Sequence, residues 1–548
     1  MAILQYNMNN SAVRARVCLT GFILLSILGH SCRLSTDKHL APAPRDTTIT
    51  VSNSYNELFF DSLSMERFIK DTHLEDSMAQ RMRNFYNSRN YQYAWYFHDG
   101  LTHYAYSFLE TQNDYIGYSG DSLLYNPGLL QLTDSTAAAN RNIDPNDSTV
   151  LKTELLLTYQ FFRYANRAYQ GNLELDVKEL GWYIPRKKID QVAMLDSVIR
   201  NGSRDISLYQ ALNRQYNLLK RFVIRYDSIE RSGGWPVIKP GKKQYKKGDS
   251  AATIAEIKNR LFLVGDLPEK DTSFVFTEQL ETAVKRFQQR FGLSENGQVN
   301  ASTLAEMNIP VGQRIRQILI NMERIRWAPS TPNSDYLLVN IPEFRLHVYE
   351  SGNYKWSMNV VVGTAAHSTV IFTGTLKYVV FSPYWNVPPG ILKNEVLPGI
   401  KKDPNYLARH NMEWNGGAVR QRPGPQNSLG LVKFLFPNNY NIYLHDTPSK
   451  SLFGESSRAF SHGCIRLAEP AKLARFLLRN DPAWDSVKIV KAMHAGKERF
   501  VTLKEDIPVF IAYFTSWVDR EDKLHFRKDI YKHDKKMADH LFINSPKP

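Results

Sequence analysis

Cysteine is scarce in this sequence. Cys18, Cys32 and Cys464 are the only three in 548 residues, and the first two lie in or beside a stretch that reads as an export signal. So few thiols exclude a disulfide framework and leave Cys464 without an obvious partner. In an exported chain a leftover thiol is an intermolecular bridge, a small buried hydrophobe or a reactive group. Long apolar runs are also missing after the N-terminus, which excludes a chain that crosses a membrane repeatedly. There is no Lys/Arg run interleaved with aromatics, and the basic residues are spread along the chain. The formal net charge of +15 therefore carries no nucleic-acid signature, although a basic surface suits a carboxylate-rich polymer.

What is present is the composition of a soluble globular protein, with 43% hydrophobic and 12% aromatic residues, in a chain long enough for two to four domains. Arg14 and Arg16 precede the apolar run from Val17 to Leu28, and Gly29, His30 and Ser31 follow it. That order is an export signal. Cleavage before Cys32 would resemble a bacterial lipoprotein, with lipid on Cys32 as a membrane attachment, but Gly29 and His30 depart from the usual lipobox, and plain secretion stays open.

Residues 33 to about 55 are Ser/Thr/Pro-rich and read as a tether. From there to about 245 the spacing is helical, as in Leu155, Tyr159, Phe162 and Ala165, and in Leu208, Leu212, Leu219, Phe222 and Tyr226. The aromatic cluster Phe85, Tyr86, Tyr91, Tyr93, Trp95, Tyr96 and Phe97 reads as core rather than as a sugar platform. A unit of three short helices spans Lys246 to Met307: Asp249 or Ser250 caps the first, Gly292 and Leu293 close the second, Asn296 and Gly297 make a turn, and Ser302 or Thr303 starts the third. One more helix follows, with Ile315, Ile318, Leu319, Met322 and Ile325 on one face.

Beyond Asp335 the period changes to that of strands: Phe344 to Val348, Trp356 to Val362, Leu376 to Phe381, Leu431 to Phe436, Tyr440 to Leu444, Val487 to Val490, Phe500 to Leu503 and Pro508 to Phe514. Such a run predicts an antiparallel, all-β core, joined near its end by a helix that starts at Pro470. Between Trp385 and Gly430 lies a Pro/Gly-rich insertion, a candidate lid.

The chemistry concentrates between Tyr440 and Leu467. His445 closes a strand, and Ser461-His462-Gly463-Cys464-Ile465-Arg466-Leu467 follows after a polar spacer. A histidine and a cysteine beside a glycine supply a base and a sulfur it can deprotonate. A zinc site from His445, His462 and Cys464 has the right ligand types but no close-spaced pair to anchor the ion, so no metal and no cofactor are expected.

His445, the spacer and Ser461-His462-Gly463-Cys464 with Arg466 resemble the signature of the L,D-transpeptidases, whose catalytic domain is called YkuD-type. Val284 to Leu293 with Asn296, Gly297 and Thr303 resembles a peptidoglycan-binding domain. Tyr93-Ala94-Trp95, Gly233-Gly234-Trp235-Pro236 and Lys528-Asp529-Ile530-Tyr531 resemble the scaffold and C-terminal extension of the large, YcbB-like subtype. The resemblance implies a multidomain α+β chain: signal peptide 1–31, tether 32–55, helical scaffold 56–245, peptidoglycan-binding domain 246–308, returning scaffold helix 309–334, catalytic domain 335–503 with a capping insertion at 385–430, and C-terminal extension 504–548.

It further implies an exported, periplasmic enzyme, a target of carbapenems, that acts on peptidoglycan. Cys464 would attack the L,D amide after the third residue of a tetrapeptide stem, with His445 as general base and acid, either accepting the thiol proton or stabilising the thiolate as imidazolium. The thioester would pass to an amine of a second stem as a 3-3 crosslink. Backbone N–H groups around His462, Gly463 and Cys464 would hold the oxyanion, the His462 side chain would assist it or merely pack beside the site, and Ser461 would orient either histidine. Arg466 would bind a substrate carboxylate or pair with a local acid, and Trp385 and Asn386 would line the cleft. An L,D-carboxypeptidase or crosslink hydrolase uses the same thioester with water as acceptor, and a non-catalytic wall-binding lipoprotein is a third reading, against which intact His445 and Cys464 argue.

Overall fold

The computed structural model describes residues 41–138, 142–172, 175–186, 188–201, 214–329 and 332–542. The export signal, Cys18, Cys32, Leu208 and Leu212 lie outside the described residues. Among the described residues no helix is long and apolar enough to cross a membrane. The chain divides into two units, 1–93 and 94–548.

In the first unit the helices Ser62–Asp71 and Asp76–Asn87 flank an aromatic core. Phe60 meets Tyr86, Tyr91 and Tyr93 edge-on at 5.0, 5.6 and 5.4 Å, the arrangement the ring quadrupoles favour. The expected tether ends sooner than its composition suggests. Ala43 N–H donates to the Asn84 side chain, Asn87 returns a bond to Ala43 O, and Asp46 N–H reaches Asn87 O.

The second unit opens with another buried aromatic group, Trp95 against Tyr104, Phe108 and Phe161. The helix Ser148–Ala165 is capped by Asp147, whose carboxylate accepts from Thr149 and Val150 N–H. Its buried Glu154 takes the Ala94 and Trp95 N–H groups, so the charge is satisfied by backbone donors. The aromatic residues thus serve as core.

The three helices of the binding module are Ala252–Val264, Glu278–Arg290 and Ala301–Met307. Two caps differ from the sequence reading. Asp249 turns away to accept from Lys246 N–H and leaves Ala251 as an N-cap with no side-chain bond, and Asn300 caps the third helix through Thr303 N–H. The module shares one core with the helices Arg214–Arg231 and Val311–Trp327 and with the hairpin of Ser516–Val518 and Leu524–Phe526. Phe291 stacks on Phe287 at 4.0 Å and approaches Phe526 at 5.3 Å, while Arg290, ion-paired with Asp266, donates to Leu524 O.

The catalytic region is built on one nine-stranded sheet of β1 Tyr336–Asn340, β2 Arg345–Glu350, β3 Asn353–Gly363, β4 Phe372–Phe381, β5 Val432–Leu435, β6 Leu444–His445, β7 Ala459–Ser461, β8 Ile465–Leu467 and β9 Arg499–Ala512. Their order is β7-β3-β8-β6-β5-β4-β9-β1-β2, and β2 also pairs with β3, so the ring of pairings closes. Leu346, Val348, Met358, Val360, Leu444, Ile465 and Leu467 face one common core, which leaves the alternate residues of the same strands on the opposite face.

Three details correct the sequence reading. The sheet is mixed, because β6–β8, β7–β3 and β9–β1 run parallel. Val487 to Val490 is helical: Asp485 accepts from Lys488 N–H to cap Ser486–Met493, and Ile489, Ala492 and Met493 bury the helical face. Finally, Tyr440 to Tyr443 is not strand, because the Asn438 side chain accepts from Tyr440 and Ile442 N–H and donates to Phe436 and Ile442 O, which folds the segment into a turn before β6.

Candidate active site

Parallel pairing of β6 with β8 sets Leu444 opposite Ile465 and His445 opposite Arg466. With Leu444 and Ile465 in the core, the alternation turns Tyr443, His445, Cys464 and Arg466 onto the other face together. The residues leading into β8 make a sharp turn. Gly463 has φ +113°, a conformation that side-chain-bearing residues rarely adopt. Ser461 Oγ donates to Cys464 O at 2.6 Å and accepts from Gly463 N–H at 3.1 Å. Ser461 therefore braces the loop rather than a histidine. It also occupies the Gly463 N–H, leaving the His462 and Cys464 amides as the loop's donors.

A second brace comes from further along the chain. Thr369 Oγ1 donates to Gly463 O at 2.8 Å and accepts from Gly363 N–H at 2.9 Å. Tyr531, which follows β9 in the chain, donates its hydroxyl to Gly363 O at 2.5 Å and accepts from Thr369 N–H at 3.3 Å.

His445 is 4% exposed, and its Nδ1 donates to Asp446 O at 2.5 Å, which leaves Nε2 as the basic nitrogen. Asp446 is fixed in turn, since its carboxylate accepts from Leu431 N–H at 2.9 Å and from Lys450 at 2.5 Å. It packs so tightly on Gly430 that a Cβ there would lie 2.4 Å from Asp446 Cγ. Burial, joined by the nearby charges of Arg466 and Lys450, pushes the imidazole down to about 4. Burial pushes the Cys464 thiol up, against the opposing pull of Tyr443 and Arg466. Both groups are therefore neutral at pH 7. The thiol donates to Asn441 O at 3.5 Å, and among the described residues no hydrogen bond joins it to His445, a spacing often seen before substrate binds.

Arg466 has no ion pair among the described residues, and its Nε is buried without a partner. His462 is exposed and turned towards the insertion: its Nε2 lies 3.7 Å from Glu395, and its ring sits 5.0 Å from that of His367. Trp385 packs into the insertion's own core around Val387, Val396 and Val419, and Asn386 is exposed on its three-stranded sheet. Neither contributes a hydrogen bond to Cys464 or His445 among the described residues. Sequence reasoning missed Tyr443, Asp446, Gly430, Thr369 and Tyr531. Tyr443 was legible, two residues before His445 on an alternating stretch; the others act through contacts between residues far apart in the chain.

Three segments of the chain match known domain families. Residues 334–489 match the L,D-transpeptidase catalytic domain (YkuD), 80–222 a scaffold domain, and 250–307 a "Putative peptidoglycan binding domain". A Haemophilus influenzae protein named "Putative L,D-transpeptidase" is 31% identical over 243 residues, covering 40% of this chain and 49% of that protein. The chain thus spans about half the length of the curated relative it matches. An L,D-transpeptidase structure from Mycobacterium smegmatis is 14% identical, covering 33% of this chain and 58% of that one, at a TM-score of 0.19. One from Stackebrandtia nassauensis is 15% identical, covering 50% and 97%, at a TM-score of 0.20. Scores so low carry no argument, and the assignment rests on the domain matches. The chain carries a catalytic domain of the L,D-transpeptidase (YkuD) family, together with a scaffold domain and a peptidoglycan-binding domain.

Proposed function

We propose that the protein is an L,D-transpeptidase that forms 3-3 crosslinks in peptidoglycan through a thioester on Cys464. The observation that carries this reading is the single sheet face, inside the matched catalytic domain, on which Cys464, Tyr443, His445 and Arg466 stand together. The neutral thiol gives its proton to His445 Nε2 as sulfur attacks the carbonyl carbon after the third stem residue. The oxyanion meets the His462 and Cys464 N–H groups. Collapse breaks the C–N bond, His445 returns the proton to the departing D-alanine amine, and a thioester remains. His445 then takes a proton from the acceptor amine as that amine attacks, the S–C bond breaks, and the sulfur is reprotonated. The unpaired Arg466 supports its role in binding a substrate carboxylate.

The insertion at 385–430 acts as the lid, a reading supported by the approach of its Glu395 to His462. An envelope location follows from the substrate, with Cys32 as the proposed lipid attachment. Purified protein would be incubated with a disaccharide tetrapeptide and its products weighed by mass spectrometry. Crosslinked dimer with release of D-alanine is expected. Tripeptide alone would make the protein a carboxypeptidase, and unchanged substrate would refute both readings.

A further inference from the structure

A cavity of about 1290 Å³ lies beside the active site, bounded by the catalytic sheet, the binding module and the C-terminal hairpin, and neither Cys464 nor His445 lines it. That volume exceeds a usual small-molecule pocket. Three of its residues, Arg345, Arg458 and Arg527, are guanidiniums that spend their hydrogen bonds on neutral oxygens. Arg345 donates to Ser357 Oγ and Asn359 Oδ1, Arg458 to Glu455 and Phe344 O, and Arg527 to Arg290 and Phe526 O. Among the described residues none of the three makes an ion pair, and Arg458 Nε is buried with no partner.

The nearby buried carboxylate is Glu343, already paired with His347 at 2.8 Å. Burial pushes that carboxyl up, but His347, Arg527 and Arg345 outweigh it and bring the group down to about 2, so it is fully charged. Burial and the repulsion of Arg345 and Arg527 push Arg458 down to about 10. These three cations face one buried carboxylate. Of the other acids lining the cavity, Asp519 is taken by His525 at 2.6 Å, and Glu295, Glu455 and Glu521 are exposed to solvent. Clustered guanidiniums with spare donors and too few carboxylates match a missing anion, and their planar forks suit a carboxylate.

The cavity is tied to the nucleophile by register. Ser357 and Asn359 line it from β3, and Val361, next on that face, pairs with Arg466 of β8. Two residues along a strand is about 7 Å, so Arg466 stands about 7 Å along the strand from Asn359 and Cys464 about as far again, with cavity and active site on one face. Gln289, the run from Phe291 to Glu295, and Ser302 of the binding module also line the cavity.

We infer that this cavity binds a second, carboxylate-bearing peptidoglycan stem with its sugar, gripped by Arg345, Arg458 and Arg527 while the donor stem occupies Cys464. The inference rests on the peptidoglycan reading above. The test is calorimetric titration of the full chain carrying Cys464→Ala with a soluble disaccharide tetrapeptide, and with the same compound after its carboxylates are converted to amides. Two classes of site are expected. Arg345→Gln and, separately, Arg458→Gln should weaken one class about tenfold or more and leave the other, while Arg458→Lys should keep part of the lost affinity. The amidated compound should lose that same class on the parent chain, where no folding change can intervene. One class of site in the parent, or unchanged binding in both glutamine variants, would overturn the proposal. Acylation of wild-type Cys464, read separately by intact mass, reports on the catalytic reading whichever way the titration falls.

Discussion

The depressed basicity of His445 has a consequence that a rate measurement can read directly. An ordinary histidine, near 6.5, would be about 10% neutral at pH 5.5, whereas one near 4 is about 97% neutral. The enzyme should therefore keep about ten times more of its active base at pH 5.5 than an unperturbed site would. The assay is the rate constant for acylation of Cys464 by a β-lactam, or kcat/KM with the tetrapeptide, from pH 3.5 to 8; the acid limb should have its midpoint near 4. Arg466→Gln removes a positive charge that holds the imidazole down and should move that limb upward. The same shift bears on stability. The unfolded chain binds a proton that folded His445 refuses, so folding free energy is fullest above pH 6.5 and falls as the pH drops through 4, by about 3 kcal/mol for this 4%-exposed group. Burial lowers His533 to about 4 as well, so a melting curve alone does not isolate His445, whereas the reaction does. An acid limb near 6.5 would refute the argument that burial keeps His445 neutral, and with it the neutral-pair mechanism.

Other expectations follow from the packing. Gly430→Ala should cost about 1–2 kcal/mol for its left-handed backbone and should displace Asp446; a lowered melting temperature with slower acylation is expected, and an unchanged rate would detach Asp446 from the placement of His445. Phe291→Ala should cost about 3–5 kcal/mol, and because the module shares its core with the C-terminal hairpin, both should melt in one transition; separate transitions would make the module an independent bead. Trimming the Gly/Pro-rich part of 385–430 should raise tripeptide relative to dimer as water gains entry, and an unchanged ratio with unchanged acylation would return the insertion to a surface excursion.

Much of this was legible in the sequence wherever the signal is local. The helical period of Ile318, Met322 and Ile325 and the alternation of Leu346 and Val348 found their faces because burial acts on near neighbours in the chain. The helix Ser486–Met493 was misread because Val487, Ile489 and Val490 carry strand propensity, which the Asp485 cap and the burial of Ile489, Ala492 and Met493 override. The parallel pairings were hidden for another reason: β9 joins β1 across more than 150 residues, and no local pattern encodes that register. In the site, Cys464, His445 and Gly463 stood out by residue type. Tyr531, which reaches Gly363 and Thr369 from the far end of the chain, and the guanidiniums of Arg345, Arg458 and Arg527 become meaningful only once the fold assembles them.

The most direct test of the central claim is the intact mass of the wild-type chain and of Cys464→Ser after incubation with a disaccharide tetrapeptide donor. The wild type should gain the mass of the donor less D-alanine, at Cys464, and lose it when an acceptor stem is added. Cys464→Ser, with the same melting temperature, should gain nothing, because a serine hydroxyl beside a weakly basic His445 is far harder to deprotonate than a thiol. Turnover in Cys464→Ser at the wild-type rate, or crosslinked product from the wild type with its adduct on another residue, would contradict the account.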